Sequence, residues 1–153
     1  MTPVEELRYL ILAVQREGNR QLAQALRPHG VTPAQAEVLR LLQERQPLTL
    51  SGLGELLVCE SGTNPSRLVD RLVAAGLVKR VVGEHDRRQV ELTLTPEGVR
   101  VAGRVAGIED ELHRAIESAG SARDIDTVIA YLRTLADGSP AGEAVALRAG
   151  RHS

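Results

Sequence analysis

Asn64-Pro65-Ser66-Arg67-Leu68-Val69-Asp70-Arg71-Leu72-Val73-Ala74-Ala75-Gly76, then Leu77-Val78-Lys79-Arg80-Val81-Val82, then the polar Gly83-Glu84-His85-Asp86-Arg87-Arg88, then Gln89-Val90-Glu91-Leu92-Thr93-Leu94-Thr95-Pro96, is the stretch that decides the fold. Asn64 is a good N-cap and Pro65 a good first helical residue. Leu68, Leu72 and Val73 point to a core, while Ser66, Arg67, Asp70 and Arg71 lie outside that apolar stripe. Gly76 is the expected left-handed C-cap. Val78–Val82 and Gln89–Leu94 alternate and are rich in β-branched residues, as hairpin strands should be. A polar-faced helix followed by a two-stranded ribbon with an arginine tip is a winged helix-turn-helix. Its helix suits a DNA major groove and its tip an adjacent minor groove.

Working outward, Thr2-Pro3-Val4-Glu5 and Thr32-Pro33-Ala34-Gln35 each read as a capping box with proline at the first helical position. The first helix should run to about Arg27 and the second to about Glu44. Leu48-Thr49-Leu50 fits a short strand, and Ser51 would cap a short helix through Leu57, the first of the helix-turn-helix. Thr95-Pro96-Glu97-Gly98 opens a long helix to about Ala119, with Val99, Val101, Val105, Ile108, Leu112 and Ile116 along it. Ser121 caps another helix, which Gly138-Ser139-Pro140 stops. The expected class is mainly α with a small β-wing, in the order α-α-β-α-α-β-β-α-α. Residues 30–95 form a DNA-binding head, 2–27 and 96–137 form dimerisation helices within a unit spanning 1–138, and 139–153 form a flexible tail or a weak helix. The terminal helices carry apolar stripes wider than a compact head requires, and stripes of that size mark an interface. A symmetric homodimer would bury them and present two reading helices to a two-fold site. The alternative is a monomer whose own terminal helices pack together.

The 153 residues suit one domain with a sizeable core. No apolar run is long enough to span a bilayer and the acidic start is unlike a signal peptide, so a cytoplasmic protein is expected. The net charge is −1, yet between Gly62 and Arg88 six positive side chains stand against three negative ones. That local excess of three is the footprint of a DNA-contacting face. All basic residues but Lys79 are arginine, which suits bidentate contacts to guanine and narrow minor grooves. Tyr9 and Tyr131 are the only aromatics, too few for the stacking platforms of single-strand binders. Double-stranded DNA is the expected partner. Its contacts would come from Ser61, Thr63, Asn64 and Ser66 at the helix start, where capping and phosphate contact are compatible. Arg67 and Arg71 would add contacts on the helix, and His85, Arg87 and Arg88 at the tip. Asp70 and Asp86 would support the wing. Asp70 beside DNA needs neutralising, by Arg88 or Arg67.

These elements resemble the multiple antibiotic resistance regulator (MarR) family. Val31–Leu42 is similar to the opening of that family's second helix, and Arg67–Leu72 with Gly76-Leu77-Val78 to its recognition helix and exit. Asp86-Arg87-Arg88, Leu92–Thr95 and Gly98 are similar to its wing signature. The resemblance covers roughly Thr2 to Gly138. It implies a dimeric transcription regulator, most often a repressor, that binds short inverted repeats and is commonly released by a small, often phenolic or anionic, effector. By position, Arg88 would enter the minor groove and Asp70 would pair with a wing arginine. One departure is the turn Val58–Pro65, about one residue longer than usual, with proline where many members have a plain helical residue.

Other chemistries have thinner support. Cys59, the single cysteine, rules out an intrachain disulfide. It is either a redox switch beside the reading helix or an inert small apolar residue, and Glu60 would raise its pKa. His29, His85, His113 and His152 show no metal-ligand spacing, and no cofactor is expected. No nucleophile elbow, phosphate loop or carboxylate constellation argues for an enzyme. Arg16, Arg20 and Arg40 are candidates for holding an anionic effector, or are simply solvated charges. A winged-helix module used only for protein interaction is the alternative function.

Overall fold

The computed structural model describes residues 1–59 and 64–151. Its elements are α1 (Pro3–Leu26), a single 3-10 turn (Arg27–His29), α2 (Pro33–Arg45), β1 (Leu48–Thr49), α3 (Leu50–Leu56), α4 (Pro65–Ala74), β2 (Val78–Val82), β3 (Val90–Leu94), α5 (Pro96–Ser118), α6 (Ala122–Ala136) and α7 (Pro140–Arg148). The three strands form an antiparallel sheet in the order β1-β3-β2, with Val78 opposite Leu94 and Val82 opposite Val90.

Local chemistry explains most boundaries. Capping boxes at Thr2/Glu5 and Thr32/Gln35 start α1 and α2 as expected, and Ser121/Asp124 forms a third at α6. Asn64 accepts a hydrogen bond from the Arg67 amide at 2.9 Å, with Pro65 at the first turn of α4. Gly76 has φ +74°, the left-handed conformation that favours glycine. Two boundaries differ from expectation. Thr49, not Ser51, caps α3, because its Oγ1 accepts from the Gly52 amide at 3.0 Å; the chain passes from β1 into the helix with no intervening residue. Gln89 belongs to the wing turn and not to β3, since its amide donates to the Asp86 carbonyl at 3.0 Å and its carbonyl accepts from Gly83.

The C-terminus decides between two expectations. Where a flexible tail or a weak helix from residue 139 is the sequence-based expectation, Pro140–Arg148 form a helix, the second of the two. Ser139-Pro140 is the same cap-plus-proline device that opens α1, α2, α4 and α5; Ala144 is 1% exposed and Leu147 packs against the core.

One core unites α2, α3, α4, the sheet and the first half of α5, through Leu39, Leu42, Leu53, Leu72, Leu92 and Val105 among others. It is built from Leu, Val and Ala, as the scarcity of aromatics requires. In α4 the buried stripe is Leu68, Val69 and Leu72, with Val73 only half-buried, so the helix is turned slightly from the expected Leu68-Leu72-Val73 face. Val99, expected along the apolar face of α5, is exposed.

The exit from α4 is joined tightly to the start of α5. The Thr95 amide donates to the Leu77 carbonyl at 3.1 Å, and the Thr95 hydroxyl donates to the Gly76 carbonyl at 2.6 Å. Gly98 lies against the Leu77 carbonyl so closely that a Cβ there would overlap it.

Candidate nucleic-acid interface

Burial of Leu68, Val69 and Leu72 fixes the rotation of α4 and leaves Ser66, Arg67, Asp70 and Arg71 exposed together with Asn64. The short α4–Gly76–β2 connection then brings β2 back alongside the helix. As a result, Arg80 on β2 forms an ion pair with Asp70 on α4. The expected partners, Arg88 and Arg67, are not the ones used. Asp70 is neutralised from the base of the wing, and Arg88 is left for the tip. The exposed face of α4 and the face of β2 that carries Arg80 therefore share one surface, while Lys79, the next residue along the strand, points to the other face of the sheet.

The tip is ordered by its own hydrogen bonds. The Gly83 amide donates to the Gln89 carbonyl at 2.9 Å, closing the loop. Asp86 Oδ1 accepts from the Arg88 amide at 3.0 Å and from Arg88 Nε at 3.2 Å. The Arg88 side chain and then its amide hold the Asp86 carboxyl below the usual carboxylate range. Asp86 thus ties the backbone and side chain of Arg88 together at the tip, while the Arg88 side chain stays 92% exposed. His85 and Arg87 are also exposed. Ser61 and Thr63, expected at the helix start, lie outside the described residues, as does Glu60.

Arg80 was not singled out from the sequence as a site residue. The signal was present: a helix ending in a one-glycine turn must fold its following strand back along itself, which sets residue 80 beside residue 70.

Behind this surface, Glu37 on α2 is buried at 7% exposure. Its carboxylate accepts from the Val58 amide at 3.0 Å, from the Cys59 amide at 3.0 Å and from Arg148 Nη1 at 2.8 Å. Cys59 is at the surface, but desolvation by its neighbours and then the Glu37 carboxylate push its thiol up to about 11. A thiol so placed is protonated at neutral pH. Of the candidate anion-holding arginines, Arg20 is paired with Glu17 at 2.6 Å and holds that carboxyl down to about 2. Arg40 bridges α2 to α5 through Glu109 at 2.9 Å. Among the described residues, no helix is long and apolar enough to cross a membrane.

Comparison with known proteins places this geometry. The MarR family profile matches residues 29–89, from the end of the 3-10 turn after α1 to the tip of the wing. The organic hydroperoxide resistance transcriptional regulator of Bacillus subtilis is 31% identical over 113 residues, covering 69% of this chain and 76% of the relative. The multiple antibiotic resistance protein MarR of Salmonella typhimurium is 30% identical over 92 residues, covering 60% and 63%. Among solved structures, a cysteine-to-serine mutant of MarR from E. coli complexed with operator DNA aligns with TM-score 0.73 at 27% identity, covering 86% of this chain and 94% of that one. The S. aureus MepR–DNA complex aligns with TM-score 0.75 at 25% identity, covering 84% and 94%. The chain belongs to the MarR family of winged helix-turn-helix transcriptional regulators.

Proposed function

We propose that this protein regulates transcription as a homodimer, reading an inverted repeat in double-stranded DNA with α4 in the major groove and the wing tip in the minor groove. The observation that carries this reading is the shared surface of α4 and the wing. Arg67 and Arg71 stand on the helix, Arg80 on the strand, and Arg87 and Arg88 at the tip. The one acidic side chain on the helix face, Asp70, is already neutralised by Arg80. Such a surface meets phosphates without a like-charge penalty and leaves arginines for base edges. Two of the similar solved structures, the E. coli MarR mutant and S. aureus MepR, hold DNA.

Dimerisation is supported by what the chain leaves uncovered. In α1 only Leu26 is buried, and in α6 no residue is. Val4, Leu10 and Val14 on α1 and Val128, Tyr131 and Leu135 on α6 are all exposed. An apolar surface of this extent calls for a second copy. The expected sign of regulation is repression, relieved by a small phenolic or anionic effector bound where the dimerisation helices meet the head, since ligands favour such junctions.

The Cys59 redox alternative is weakened by the surroundings of its thiol, which hold it in the unreactive protonated form.

Selection of sites from randomised duplex DNA, with the salt dependence of the winning site, tests the proposal. An enriched inverted repeat with half-sites about one helical turn apart, bound with steep salt dependence, is expected. No enrichment and no salt-sensitive duplex binding would leave a winged helix used for protein contacts instead.

A further inference from the structure

We propose that α7 is a coupling latch that ties the dimer helix α6 to the backbone leading into the DNA-reading helix. The inference rests on the DNA-binding reading above and adds to it a route between the terminal helices and the head.

At its start, α7 is locked to α6 through a corner with no slack. Gly138 turns the chain with φ +76°. The Ser139 hydroxyl accepts from the Gly142 amide at 3.0 Å and donates to the Ala136 carbonyl at 2.6 Å, while the Ser139 amide donates to the same carbonyl at 3.1 Å. Gly142 sits so close to the Ala136 carbonyl that a Cβ would overlap it. Any displacement of the end of α6 therefore carries α7 with it.

At its end, α7 is anchored in the head. Ala144 is buried and Leu147 packs on the core. Arg148 Nη1 donates to Glu37 Oε2 at 2.8 Å and reaches the carbonyl of Leu56, the last residue of α3, at 3.5 Å. Arg45 Nη2 donates back to the Arg148 carbonyl at 3.2 Å. The same Glu37 carboxylate holds the amides of Val58 and Cys59, on the path from α3 to Asn64 and α4. A carboxylate this buried needs a counter-charge, and Arg148 supplies it from outside the winged helix. Without Arg148 the carboxylate loses this counter-charge and the contact that fixes its position, and its grip on the Val58 and Cys59 amides loosens. Arg148 is thus a positioning residue for Val58 and Cys59, the backbone that leaves α3 toward the reading helix, and it is supplied by a helix that follows α6.

The test uses full-length protein carrying Arg148→Ala, Arg148→Lys or Gly142→Ala. Affinity for the selected duplex at fixed salt is measured alongside native-state amide exchange. Arg148→Ala and Gly142→Ala are each expected to weaken binding by roughly 2- to 30-fold. They should also speed exchange at Val58 and Cys59, while Leu68, Val69 and Leu72 keep their protection. Arg148→Lys, which keeps the charge, should recover part of both effects. Unchanged exchange at Val58 and Cys59 in both variants overturns the latch, and so does unchanged affinity despite faster exchange. Exchange rising in step at Leu68, Val69 and Leu72 means general destabilisation and overturns it too. If the wild-type chain binds no duplex, the DNA reading fails by itself. The exchange arm then still decides whether Arg148 holds Val58 and Cys59 in place.

Discussion

The winged head and the terminal helices are built on opposite terms. In the head, Leu39, Leu42, Leu53 and Leu92 are all but fully buried and a single core reaches every element. In α1 and α6 the apolar residues are just as regularly spaced, yet they face outward. The head is stabilised by contacts within its own chain, whereas the terminal helices hold apolar area in reserve for another copy. Stability and assembly should therefore respond to different residues, and DNA binding to a third set.

The largest effect should come from the head. Leu39→Ala empties a fully buried leucine site and is expected to cost about 2–5 kcal/mol, read from the denaturant midpoint at constant slope. A loss below about 1 kcal/mol would mean that the head core is less close-packed than described. Next is the reserve surface. Val128→Asp, at a site exposed in the single chain, is expected to remove about 2 kcal/mol or more of association free energy. Sedimentation should then show a monomer whose melting temperature no longer rises with concentration. A variant that remains dimeric would move the interface off α6.

The reading surface should respond without disturbing either fold or assembly. Arg67→Ala is expected to relax sequence preference by about 1–3 kcal/mol at one base position, and a uniform loss across sequences would reassign Arg67 to a phosphate. Arg88→Ala should weaken binding and reduce the salt slope by about one. Retention of full affinity would detach the wing tip from the DNA.

The smallest effect belongs to Cys59. With its folded pKa raised to about 11, the thiolate fraction grows as pH rises, so alkylation should keep accelerating through pH 8 and 9 with no plateau. Cys59→Ser should bind DNA like the parent chain under oxidant as well as without it. A plateau near neutral pH would restore the thiol switch.

Much of this was legible because the relevant signals are local. Threonine, serine or asparagine followed by proline marks where α1, α2, α4 and α5 begin, and Gly76 marks where α4 must turn. The same device at Ser139-Pro140 was outweighed by the Ala- and Gly-rich composition after it. Composition cannot show that Ala144 is buried or that Leu147 packs against the core. The pairing of Asp70 with Arg80, and the burial of Glu37 against Arg148, join residues far apart in sequence or on different elements. Charge counting finds such groups but not their partners. That an aspartate on this helix face needs a cation is a matter of charge alone; only the fold-back of β2 decides that the cation is Arg80.

The joint at Gly76, Thr95 and Gly98 has a consequence for scale. It welds the exit of the reading helix to the start of α5, so the head cannot swivel there and any change of angle must arise farther along the arm. An α-helix of 23 residues is about 35 Å long. Tilting such an arm by about 5° at its far end sweeps the head through about 3 Å, close to the rise of one base step. In a dimer, a distortion of the interface smaller than a side chain is thus magnified into a whole base-pair step of misfit between the two heads and their half-sites.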